Sequence, residues 1–160
     1  MAGISDETKT KLEGIKGKVA IANAKMAYKA YKEICQSDRW KALAAKGAKV
    51  QRLLWASTGT KNPAYSDVMY VDELVGADTV NTLPPLTIDA CVDHCDVGDR
   101  IETNVDEAIA LIASLKDADV NIDLDTVMAD LLEDGIVKFV QPFDTLMKAL
   151  QAKIDAIAAA

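Results

Sequence analysis

Residues 51–93 read QRLLWASTGTKNPAYSDVMYVDELVGADTVNTLPPLTIDACVD, and their punctuation separates two short extended segments from two helical ones. Leu53-Leu54-Trp55-Ala56 is an apolar run that breaks at once into Ser57-Thr58-Gly59-Thr60-Lys61-Asn62-Pro63, a loop of hydroxyls, one glycine and one lysine. Asp67 to Leu74 reads as one or two helical turns. A second run, Thr79-Val80-Asn81-Thr82-Leu83, stops at Pro84-Pro85, and Thr87 opens an apolar-periodic helix. Strand, loop and helix, repeated twice, is the order of a parallel α/β fold.

Such folds bind ligands at the carboxyl ends of their strands, which singles out the loops from Ser57 to Asn62 and from Asn81 to Pro85. Ser57, Thr58, Thr60 and the backbone amides near Gly59 can donate hydrogen bonds to an anion, and Lys61 adds a point charge. Those residue types point to phosphate. The loop has neither the Walker nor the Rossmann glycine spacing, so an ordinary turn is the other reading.

The run LLWASTGTKNPAYSDVMYVDELVGADTVNTLPP, followed by Thr87 and Asp93-His94, closely resembles the transaldolases, in particular the longer bacterial and plant or algal type. In these a strand ending in WAST-x-x-KNPAY precedes one ending in NT-x-P. The segments IANAKMAY, Ile21 to Tyr28, and FVQPFDTLMKAL, Phe139 to Leu150, resemble the same family.

Composition bounds the rest. The 160 residues are one domain's worth of chain, half of them apolar, enough for a sizeable core. No apolar run approaches the length of a membrane span, and Met1 to Asp6 carries neither a basic region nor a signal core, so nothing here directs export. The formal charge of −7 is segregated: residues 1–52 hold twelve Lys or Arg against five Asp or Glu, and the remainder is acidic. The basic third alternates lysine with alanine and has few aromatics to stack on bases, which argues for a solvated helix face and against nucleic acid.

Three cysteines, Cys35, Cys91 and Cys95, are an odd count that fits reduced thiols in a reducing compartment. Cys91, His94 and Cys95 fall within one helical turn and, with Asp93, have the donor types of a zinc site. Structural zinc sites usually draw on two segments, so packed thiols and a helix-terminal histidine are the expected arrangement. Cys95 stands where the transaldolases have glycine, which puts a left-handed helix cap there in question. Asp117, Asp119, Asp123, Asp125 and Asp130 lack the order of an EF-hand and its central glycine, and read as solvated loops and helix starts.

Helices are expected from Ser5 to Gly17, from Lys18 to Gln36 with an apolar line through Val19, Ala22, Met26, Ala30 and Ile34, and from Arg39 to Lys46. Asn104-Val105-Asp106-Glu107 has the form of a capping box, with Ala108, Leu111, Ile112 and Leu115 as the buried face. A helix over about 123–134 is expected to close at Gly135, and another to begin with Pro142 in its first turn. The layout is therefore one region, 1–160: helices over 1–50, two βα units over 51–95 and C-terminal helices over 96–160.

The resemblance implies a helix-rich part of a TIM (β/α)8 barrel: its last two parallel strands, their helices and the C-terminal helices. It implies Schiff-base chemistry that transfers a dihydroxyacetone unit between sugar phosphates of the pentose phosphate pathway, with no metal or organic cofactor. The sugars implied are fructose 6-phosphate, sedoheptulose 7-phosphate, erythrose 4-phosphate and glyceraldehyde 3-phosphate, in the cytoplasm or a plastid. The family's Schiff-base lysine and catalytic carboxylates lie on earlier strands, so no catalytic residue is expected here and Lys61 is not that lysine. What carries over is the phosphate end of the site, Ser57 and Lys61, with Asn62, Thr58 and Thr60 beside them. Lysine keeps the charge that shorter transaldolases place on arginine but loses its bidentate fork. Two strands of eight leave edges and the face of Leu54, Ala56, Val80 and Thr82 uncovered, so an oligomer or a complementing chain is expected. A non-catalytic sugar-phosphate binding module and a companion subunit that docks on a barrel are the alternatives.

Overall fold

The computed structural model describes residues 5–159; Met1 to Ile4, on which the expectation about export partly rests, and Ala160 lie outside the described residues. The chain falls into two units, Met1–Val120 and Asn121–Ala160. The first is a helix-rich α/β unit. In order it contains α1 (Asp6–Ile15), α2 (Val19–Gln36), α3 (Asp38–Ala44), β1 (Leu53–Trp55), α4 (Met69–Leu74), β2 (Thr79–Asn81), α5 (Pro85–His94) and α6 (Val105–Ser114).

Local chemistry sets the ends of these elements. Ser5 caps α1 by accepting from the Thr8 amide, and Ser37 caps α3 by accepting from the Trp40 amide. These hydroxyls satisfy donors that a helix start leaves without intrahelical partners. Pro85 sits in the first turn of α5, where a missing N–H costs no hydrogen bond. Cys95, just past that helix, is extended with φ −60° and ψ 134°, so this end does not use the left-handed cap that glycine would favour.

β1 and β2 pair in parallel with Leu53 opposite Thr79, Leu54 opposite Val80 and Trp55 opposite Asn81. α4 lies in the crossover between them. Tyr28, Leu74 and Ile101 form the buried centre, with Ile21, Ala24, Tyr31, Leu53 and Trp55 packed around it. Its polar rims are satisfied: the Tyr28 hydroxyl donates to the Ala77 carbonyl at 2.9 Å and the Trp55 indole N–H to the Leu74 carbonyl at 3.2 Å. Burial raises the Tyr28 phenol above its ordinary pKa, so it remains a donor.

The buried face of α2 differs from the expected apolar line. Ala22, Lys25 and Tyr28 are buried, whereas Ile34 is 64% exposed. Lys25 is tolerated inside because its ammonium donates to the Thr103 carbonyl at 3.0 Å and lies 3.5 Å from the Glu73 carboxylate. The capping box also fails to form. Asn104 is in the left-handed region at φ 55° and makes no side-chain cap bond to α6. That helix is held instead by its apolar face, with Ala108 and Leu115 buried and α2 packed alongside.

The second unit is a single helix, α7 (Leu124–Ala158). The expected break at Gly135 and restart at Pro142 do not occur, and both residues lie inside one 35-residue helix. Apolar residues continue at helical spacing across both positions, through Leu132, Ile136, Phe139, Phe143 and Leu146. No residue of α7 is buried.

Among the described glycines, the closest approach is at Gly76. A Cβ there would stand 2.0 Å from Ile101 Cγ2, and Ile101 is fully buried. Gly76→Ala is expected to lower unfolding stability by about 1–3 kcal/mol through overpacking. Ile101→Ala alone is expected to cost about 2–5 kcal/mol. Urea unfolding of the pair would show them non-additive, the double variant losing less than the two single losses together, because the second change vacates the space that the first invades.

Candidate functional site

The loop after β1 is built by three constraints. Trp55 ends the strand, and its carbonyl accepts from the Thr82 amide at 3.0 Å, joining the carboxyl ends of the two strands. Ser57 then turns the chain through the left-handed region, at φ 57°. Gly59 follows because the first turn of α5 approaches closely: a Cβ there would lie 3.0 Å from Thr87 Oγ1 and 3.3 Å from Pro84 Cγ. Glycine fits there without displacing either neighbour.

A cleft of about 480 Å³ opens at this loop, lined by Leu54 to Asn62 and by Ala20, Tyr65, Tyr70 and Leu74. A slightly larger cleft of about 510 Å³ lies between α2, α4 and α6 and shares only Tyr65 with it. The loop cleft is the better candidate, because it stands at the carboxyl ends of parallel strands and gathers hydroxyls, amides and a lysine.

The five expected binding residues all line the cleft but do different work. Ser57 and Lys61 are exposed. Thr58 is buried, and its hydroxyl donates to Asn81 Oδ1 at 2.8 Å. The Asn62 side chain accepts from the Ala64 amide at 3.0 Å and shapes a turn. The Thr60 hydroxyl is buried without a hydrogen-bond partner. Ser57 and Lys61 therefore present their polar groups outward, whereas Asn62, also exposed, commits its side-chain oxygen to the turn.

Tyr65 and Tyr70 are additions that residue types did not reveal. Tyr65 packs against Gly17, whose φ is +75° and whose missing Cβ would come within 3.3 Å of the ring. The sequence signal for Tyr65 is its place two residues past Pro63; nothing local marks Tyr70.

The Cys91, His94 and Cys95 cluster has another role. His94 Nε2 lies 2.8 Å from Asp67 and Nδ1 lies 3.0 Å from Asp93, so the imidazole ties the end of α5 to the turn before α4. These carboxylates, Asp67 first, raise the His94 pKa above its ordinary 6.5. The hydrogen bond to His94 in turn lowers Asp67 below 3.8. Burial first, then hydrogen bonds to Cys91 and Asp72, pushes the Cys95 thiol up to about 12, so it remains protonated at neutral pH. Among the described residues, no group of three or more His, Cys, Asp or Glu is placed to hold a metal ion. Nor is any described helix long and apolar enough to cross a membrane.

A short parallel pair with a helix in its crossover makes this a helix-rich α/β fold, a class in which ligand sites commonly stand at strand ends. Residues 2–150 match the sequence profile of the transaldolase/fructose-6-phosphate aldolase family, and the chain belongs to that family. It is 66% identical over 152 residues to a transaldolase of Trichodesmium erythraeum, covering 94% of this chain and 40% of that protein. It is likewise 66% identical over 153 residues to transaldolase 2 of Nostoc sp., again covering 40% of the relative. A transaldolase of Saccharopolyspora erythraea is 49% identical over 142 residues. The chain thus spans about 40% of the length of the curated relatives it matches.

His94 is the only histidine in the sequence, which makes its clamp directly measurable. Because its folded pKa is raised, the stabilisation it contributes is fully present below 6.5 and is lost as pH rises through the raised folded value. Asp67 sets the acid side: its contribution is present above 3.8 and is lost as pH falls through the lowered folded value. The imidazole proton resonances are expected to titrate with a midpoint above 6.5, and Asp67→Asn to move that midpoint down. An unchanged midpoint in the variant would refute the clamp.

Proposed function

We propose that this chain is the C-terminal portion of a transaldolase barrel and supplies the phosphate-binding end of its site. The activity served is transfer of a dihydroxyacetone unit between sugar phosphates. The observation that carries this reading is the extent of the match: 94% of this chain aligns with 40% of a transaldolase. In the barrel reading, β1 and β2 are the last two strands, where TIM-barrel phosphate sites are often built.

Ser57 and Lys61 hold the phosphate, the serine by donating a hydrogen bond and the lysine as a point charge. Tyr65 and Tyr70 give the cleft its walls. Schiff-base chemistry needs a strand-borne lysine at the reacting carbon, and neither LLW of β1 nor TVN of β2 carries one. The imine-forming lysine and its acid and base partners then belong to preceding strands, and the chain is inactive alone. Exposed Leu54 on β1 and exposed Leu86, Ile88 and Val92 on α5 fit surfaces that the remaining barrel covers.

Incubation with fructose 6-phosphate and borohydride tests this reading, because reduction traps an imine as a dihydroxyacetone adduct visible in the intact mass. No adduct is expected on the chain alone, and trapping is expected when the missing portion is supplied. A stoichiometric adduct on these 160 residues would place the Schiff-base lysine among them and overturn the assignment. Ser57→Ala combined with Lys61→Ala is expected to abolish sugar-phosphate binding in a direct titration.

A further inference from the structure

The Ser57 backbone is held against its own preference. At φ 57° it occupies a region that residues with a Cβ adopt uncommonly, and such geometry persists only where the surroundings over-determine it. On the upstream side, the Trp55 carbonyl accepts from both the Thr82 amide at 3.0 Å and the Thr82 hydroxyl at 3.3 Å. On the downstream side, Thr58 is only 5% exposed and its hydroxyl donates to Asn81 Oδ1 at 2.8 Å. Asn81 ends β2 directly opposite Trp55 in the parallel register. The chain is thus fastened to the neighbouring strand on both sides of Ser57, and of the two exposed residues between the fastenings, Ala56 and Ser57, only the serine carries a polar side chain.

We propose that Thr58 and Asn81 are positioning residues whose hydrogen bond fixes the Ser57 hydroxyl at the wall of the loop cleft; this rests on the phosphate-binding reading above. Neither residue touches the ligand. Thr58 spends its only proton on Asn81, and its hydroxyl is turned away from solvent. Without that bond, Ser57 can relax to negative φ and carry its hydroxyl off the wall. The binding-competent fraction of the loop then falls, and apparent affinity falls by the same factor. The hydroxyl of Thr58, rather than its bulk, is what the site needs.

The test uses the 160-residue chain, with inorganic phosphate and fructose 6-phosphate as separate probes, titrated calorimetrically and by amide chemical shifts. Thr58→Val, which keeps the shape and removes the donor, is expected to weaken binding about tenfold. Thr58→Ser, which restores the donor, is expected to bind as the unaltered chain does. Asn81→Ala removes the acceptor while leaving buried Thr58 in place, and is expected to reproduce the loss, so the inference stays testable even where Thr58→Val fails to fold. Placed in a Ser57→Ala background, Thr58→Val is expected to cause no further loss, because the group being positioned is gone. A merely structural role would weaken binding equally in both backgrounds, and that result would overturn the inference. So would wild-type affinity in a folded Thr58→Val chain. Absence of binding by the unaltered chain to either probe would instead refute the phosphate reading itself, and the positioning role with it.

Discussion

Two strands of three residues each carry the loop cleft at their carboxyl ends, and they are far too short to hold themselves together. What holds them is the packing of Tyr28, Leu74 and Ile101 against Leu53 and Trp55, with the Tyr28 hydroxyl reaching the Ala77 carbonyl just before β2. That one contact fastens the long helix α2 to the start of the second strand. The strands it helps to hold pair with Trp55 opposite Asn81. The hydrogen bonds that join the strand ends and anchor the loop after β1 are built on that pairing.

Much of this was legible in the sequence because it rests on strong punctuation. Apolar runs stopped by Ser57 to Pro63 and by Pro84-Pro85 marked the ends of both strands, and the helical segments between them lie close to their expected places. What could not be read was decided by long-range contacts. Lys25 looked like a surface residue and is buried, because its partners Thr103 and Glu73 are 78 and 48 residues away. Asn104 had the residue type and spacing of a cap, yet its left-handed backbone is incompatible with an N-cap's extended geometry.

The loop shows the same division at finer scale. Its composition led to the expectation of an anion site, but composition alone could not rank the five candidates. Folding separates them: Thr58 turns inward to Asn81, Asn62 closes a turn, the Thr60 hydroxyl is enclosed, and Ser57 and Lys61 are left outward. A hydroxyl's direction depends on backbone dihedrals, which residue identity alone does not set. Glycine signals fared similarly. Gly59 read as a place where backbone amides face an anion, and the structure adds the close approach of Pro84 and Thr87 from the other βα unit.

Pro142 within α7 has a consequence for motion. A proline has no amide proton, so the carbonyl of Lys138 receives no donor from position 142, and the ladder of a helix about 52 Å long has a gap near its middle. Amide hydrogen exchange along such a rod should not rise smoothly from its centre to its ends. It should instead show two protected stretches, each fraying from the gap outward as well as from its own terminus, so that the two halves open on separate clocks.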